Sequence, residues 1–120
     1  IKTVSLNKNN IHGIQGDQIT PVFSLGELSL KECSLQCDDI GQVFSLVAAA
    51  GSIKTVSLNK NNIHGIQGDQ ITPVFSLGEL SLKECSLQCD DIGQVFSLVA
   101  AAGSIKTVSL DKNNLHGIQG

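Results

Sequence analysis

Few residues in this chain are equipped for chemistry, and they are regularly spaced: His12, His64 and His116, and the cysteines Cys33, Cys37, Cys85 and Cys89. Imidazole serves as a general base or metal ligand, and thiolate as a nucleophile or soft ligand. The histidines recur every 52 residues. If they recur every second coil of a stack, neighbours stand roughly 10 Å apart, too far to share an ion held at about 2 Å. Loop histidines and no metal site are therefore expected. Cys33 and Cys85 are separated in the same way, beyond the roughly 7 Å limit for a disulfide. Cys33 and Cys37 are close in sequence, but the first belongs at a buried turn and the second near a helix start. Free, buried thiols are the expectation, and they suit a reducing cytoplasm. Gly13 and Gly16 in the run HGIQG lack the strand-to-long-helix context of a dinucleotide loop. No nucleophile–base pair can be assembled, so no enzyme, no cofactor and no small-molecule substrate are expected.

The elements that must position these residues are bounded by composition. A chain of 120 residues, with 8 Lys and no Arg against 11 acidic residues, carries a net charge of −3. That balance offers no basic footprint, so nucleic acid and anionic membrane are not expected partners. The longest apolar run, Val43 to Ala50, is broken by Ser45 and ends at Gly51. It falls short of the roughly 18 to 20 residues of a membrane span, and a soluble chain is expected. The start at Ile1, with neither Met nor a signal-like segment, suggests a trimmed part of something longer.

Self-comparison decides the organisation. Residues 1–52 and 53–104 are identical, and 105–120 begins a third copy with Asp111 in place of Asn59 and Leu115 in place of Ile63. Identity at this level suggests a recent duplication or deliberate idealisation, and an artificial protein is expected. Inside the unit a frame LxxLxLxxNxL runs through Ile1, Val4, Leu6, Asn9 and Ile11, and again, with Cys for Asn, through Leu25, Leu28, Leu30, Cys33 and Leu35. It recurs from Ile53, Leu77 and Ile105, dividing the single domain into coils 1–24, 25–52, 53–76, 77–104 and an incomplete 105–120.

Alternation at Val4, Leu6 and at Leu28, Leu30 has the two-residue period of a short strand with one apolar face. One such strand cannot bury that face, so successive copies stack as a parallel sheet, about 4.8 Å apart. Asn9, Asn61 and Asn113 stand where the chain leaves the strand, and their amides are placed to bond backbone in neighbouring coils. Cys33 and Cys85 fill the alternate rungs. In the longer coil, Asp38 and Asp39 form an acidic cap, Ile40, Val43, Phe44 and Val47 form a stripe, and Gly51 closes a helix of two to three turns. In the shorter coil Gly13, Gly16 and Pro21 predict a loop with Ile14, Ile19, Val22 and Phe23 turned inward.

Alternating Asn-type and Cys-type coils, SIKTVSLNKNNI and SLGELSLKECSL, resemble the ribonuclease-inhibitor class of leucine-rich-repeat proteins along the whole chain. The resemblance implies an α/β solenoid, a right-handed horseshoe with a parallel sheet on the concave face and helices and short turns on the convex face. It implies protein binding through the concave sheet without catalysis. The 24-residue coil departs from that class, which has a longer helical return at this place.

Strand residues pointing away from the core form the candidate protein-binding face. They are Thr3, Ser5, Asn7 and Lys8, then Glu27, Ser29, Lys31 and Glu32, then Thr55, Ser57, Asn59 and Lys60. Glu79, Ser81, Lys83 and Glu84 follow, and Thr107, Ser109, Asp111 and Lys112 complete the set. None is Trp, Tyr or Arg, the residues that dominate binding hot spots. The row Lys8, Glu32, Lys60, Glu84, Lys112 alternates in sign, so neighbouring coils are expected to neutralise one another. A non-catalytic scaffold is the leading expectation, with self-association through open solenoid ends. The alternative is part of a natural repeat domain that binds a protein on its concave face.

Overall fold

The computed structural model describes residues 3–14, 25–67, 71 and 74–113. Among the described residues, five three-residue strands, β1 (Thr3–Ser5), β2 (Glu27–Ser29), β3 (Thr55–Ser57), β4 (Glu79–Ser81) and β5 (Thr107–Ser109), make one open sheet in chain order. All pairings are parallel, and the register sets Thr3, Glu27, Thr55, Glu79 and Thr107 side by side. Two helices, α1 (Cys37–Ala50) and α2 (Cys89–Ala102), follow β2 and β4. The architecture is thus α/β, built from repeated β–α units. Neither helix is long and apolar enough to cross a membrane.

The frame accounts for the core. Leu28, Val56 and Leu80, the central strand residues, lie in one buried cluster with Leu30, Leu58 and Leu82 and with Ile40, Val43, Phe44 and Val47 of α1. Their strand neighbours Glu27, Ser29, Thr55 and Ser57 stay exposed or half-buried on the opposite face, as the two-residue period requires. Pairing continues past each short strand: Leu6 N–H donates to Ser29 O at 2.9 Å, and Lys8 N–H to Lys31 O at 2.8 Å.

Three details differ from the sequence reading. Each helix has 14 residues and is capped by Gln36 or Gln88, so Asp38 and Asp39 lie inside the first turn and not at the cap. Asp39 reaches back to accept the Gln36 N–H at 2.9 Å, which lets the chain enter the helix earlier than the acidic pair suggests. The helix ends as expected, with Gly51 and Gly103 left-handed at φ 72°. In the shorter coil Ile66, Ile71 and Val74 are buried, but Phe75 is 73% exposed. The same inward reading of Ile19, Val22 and Phe23 lies outside the described residues. Finally, free thiols are found throughout, yet only Cys33 and Cys85 are buried; Cys37 is half-buried and Cys89 exposed.

Candidate functional site

Every member of the candidate face that begins at Thr3 and ends at Lys112 is exposed or half-buried. Much of its polarity is directed at the protein itself. Asn7 Oδ1 accepts from the Ser29 hydroxyl at 2.7 Å and the Lys31 N–H at 2.9 Å. Asn59 repeats this with Ser81 and Lys83 at the same distances. Lys60 Nζ lies 3.2 Å from Glu32, Lys112 3.5 Å from Glu84, and Lys83 3.9 Å from Asp111. Such half-exposed pairs contribute a few tenths of a kcal/mol each. Lys8, Glu32, Lys60, Glu84 and Lys112 do more than carry charge, because each adopts a left-handed φ between 54° and 64° and turns the chain out of its strand.

That turn delivers the next residue into the core. Asn61, 2% exposed, accepts the Cys33 and Leu35 N–H groups at 2.9 and 3.0 Å. Its amide nitrogen donates to Leu30 O and Leu58 O, both at 2.8 Å. Asn113 makes the same set to Cys85, Leu87, Leu82 and Leu110. In the alternate rungs the Cys33 thiol donates to Leu6 O, and the Cys85 thiol to Leu58 O, each at 3.0 Å. A thiol cannot replace the amide oxygen, and the N–H of Ile11 goes instead to Cys33 O at 3.1 Å. Burial pushes the Cys85 thiol up to about 11, so it is a weak donor and not a thiolate nucleophile at neutral pH.

The histidines are not idle loop residues. His12 Nδ1 is 2.6 Å from Asp39 Oδ2, and His64 Nδ1 is 2.7 Å from Asp91 Oδ2. Asp39 and Asp91 are each 3% exposed. Each also accepts the N–H of Gly13 or Gly65 at 2.9 Å, besides that of its own cap residue. Hydrogen bonding to Asp39 raises His12, reinforced by the carboxylate charge, and His64 is raised by Asp91 in the same way. Burial works to raise Asp39 and Asp91, but the donors around them outweigh it and hold both below the ordinary carboxylate value. Sequence reasoning missed these clasps; the available signal was the constant 27-residue interval from each histidine to the second Asp of the DD pair. His116 lies outside the described residues.

The donor atoms of His12, Asp38 and Asp39 fall within 4.8 Å of one another, as do those of His64, Asp90 and Asp91. Seating a cation there would displace N–H donors from a buried carboxylate at the positive end of a helix, so the arrangement serves as a hydrogen-bonded clasp. Two open grooves flank the face. One, of about 600 Å³, runs along Glu32, Gln36, Cys37, Lys60, Asn62 and His64. The other, of about 710 Å³, crosses the strand starts between Lys54, Lys106, Glu27 and Glu79 above Gly26 and Gly78. Lys54 and Lys106 were not among the residues the strand pattern assigned to the face. No protein-family model matches the chain, and no curated protein matches it.

Proposed function

We propose that the chain is a non-catalytic leucine-rich-repeat scaffold of the ribonuclease-inhibitor type, an idealised array with its sheet on a concave face. The observation that carries this reading is the reuse of one bonding scheme in both units. The outward Asn7 and Asn59 side chains are spent on the neighbouring coil, and inside the stack Asn61, Asn113, Cys33 and Cys85 are bonded to neighbouring coils as well. Absence of catalysis is supported by the buried Cys33 and Cys85 thiols donating to carbonyls. Chains lengthened by one, two and three further copies of residues 53–104 test it. A scaffold held by nearest-neighbour contacts gains unfolding midpoint and denaturant dependence with each copy. Units that melt independently, with an unchanged midpoint, would sink it.

A second reading is favoured by one feature. Glu27 and Glu79, with Lys54 and Lys106 beside them, are exposed and carry no ion pair among the described residues. These charges suit a protein partner laid across the strand starts, where they would set specificity. Under this reading Glu27→Lys with Glu79→Lys releases the partner while leaving stability within about 0.5 kcal/mol of the parent, as surface changes do. Under the scaffold reading the same double change alters neither.

A further inference from the structure

The joints between successive coils are not alike. Within each 52-residue unit the return after the first strand is tied to the following helix by His12 to Asp39, or His64 to Asp91. Between units, coil 25–52 meets coil 53–76 through Asn61, the Lys60–Glu32 pair and a parallel bridge from Gln36 to Asn62; His64 borders this joint but, among the described residues, its hydrogen bond goes to Asp91 and not across it. We propose that the two histidine–aspartate clasps are proton-tightened fasteners, which make the joint within each unit firmer in mildly acidic than in alkaline water and leave the joint between units unchanged.

The argument is geometric. Asp39 and Asp91 are buried acceptors that also take backbone N–H groups from two sides, Gln36 and Gly13 or Gln88 and Gly65, so each carboxylate is held in place beside its imidazole. Each histidine is half-exposed and free to exchange protons with water. A neutral imidazole keeps a hydrogen bond through Nδ1–H. A protonated one adds attraction to Asp39 and to Asp38 behind it, or to Asp91 and Asp90. The charged side chains lining the groove beside His64 are Lys60 and Glu32, which neutralise each other. The histidines are raised above their ordinary 6.5, so their contribution is complete below that value and is lost as pH rises through the folded one. The aspartates are held below their ordinary 3.8, so theirs is complete above it and is lost as pH falls through the folded one. Both partners are charged between these limits, and the clasp is tightest there.

Thermal unfolding of the 120-residue chain at pH 5.5 and pH 8, beside the double variant His12→Gln with His64→Gln, tests this. Glutamine keeps a donor but no charge, and His116 is common to both proteins. Tm of the parent should fall from pH 5.5 to pH 8, and the variant should lose most of that fall. Equal pH slopes would overturn the proposal. Should the variant fail to fold, a proton NMR titration of the parent decides: midpoints for His12 and His64 above 6.5 support it, and midpoints at or below 6.5 overturn it. Hydrogen exchange adds the location. The Gly13 and Gly65 amides should gain protection at pH 5.5 beyond the intrinsic rate change, while the Leu35 amide, bound to Asn61, should not.

Discussion

Helices α1 and α2 have the same fourteen residues in the same order, yet Phe44 is 1% exposed and Phe96 54%. Leucine shows the reverse. Leu98 is 1% exposed, while Leu46 is half-buried and borders an apolar hollow of about 150 Å³ with Val4, Leu6 and Ile14. The pair of differences assigns directions: the Phe position packs toward the following coil and the Leu position toward the preceding one. Buried Ile66, Ile71 and Val74 of coil 53–76 stand after α1; of the matching positions after α2 the sequence holds Ile118, which lies outside the described residues. Asn9 and Asn61 make the same point for the ladder. Asn61 spans two coils, but among the described residues Asn9 bonds only Leu6 O and Asn7 O of its own. Burial here belongs to the neighbour as much as to the residue, as a quasi-one-dimensional stack requires.

The comparison breaks most visibly at phenylalanine. Phe44→Ala should cost about 3 to 5 kcal/mol, the range for emptying an aromatic site in a packed core. Phe96→Ala should cost about 1 to 2 kcal/mol, because only about half of its side chain is removed from water. Urea denaturation of the two single variants measures both, and equal costs would show that α2 is covered as α1 is.

Asparagine comes next. Asn61→Ala strands the buried N–H groups of Cys33 and Leu35 and removes donors from Leu30 O and Leu58 O, at about 3 kcal/mol in total. Asn9→Ala loses only exposed contacts and should cost about 0.5 kcal/mol. The same denaturation series reads the contrast, and an Asn9 variant as damaging as the Asn61 variant would contradict it.

Repetition in the sequence reveals the parallel order of strands, the buried Leu and Val rows and the place of the Asn and Cys rungs, since each follows from spacing alone. Three features are hidden for physical reasons. Phe75 looks like a core residue by type, and only the path of a loop without periodicity decides its exposure. The His12–Asp39 and His64–Asp91 clasps join residues 27 apart, and no local pattern links a loop to the next helix start. Serines preceding the strand frames are a third case: Ser52, Ser76 and Ser104 donate to Leu25 O, Ile53 O and Leu77 O at 2.6 to 2.8 Å. Their fixed place just before each frame was a visible signal, but serine is common enough in turns to be read as one.

Thiols sharpen the comparison kinetically. Cys37 and Cys89 both open a helix, but Cys37 is half-buried, close enough to the following coil that a Cβ placed on Gly65 would stand 3.6 Å from its sulfur, whereas Cys89 is exposed. A maleimide should modify Cys89 about ten times faster than Cys37, the ratio set by access. Cys33 and Cys85 should react only as the protein opens, because both are fully buried. Equal rates at Cys37 and Cys89, read by mass spectrometry of peptides, would place both thiols in the same surroundings.

The smallest effect concerns the left-handed turn residues. Lys8 and Lys60 share a φ of 64° and 62°, a region in which a side chain is strained and glycine is not. Lys8 carries no ion pair among the described residues, so Lys8→Gly relieves that strain and should stabilise by about 0.5 to 1 kcal/mol. Lys60→Gly gains the same relief but gives up the 3.2 Å contact with Glu32, which offsets a few tenths of a kcal/mol. The gain at position 60 should therefore be smaller than at 8, and should rise to match it in 1 M salt, where the ion pair is screened. A Lys60 variant that loses stability at every salt concentration would mean that the turn depends on the lysine stem packing along its neighbours and not on backbone strain.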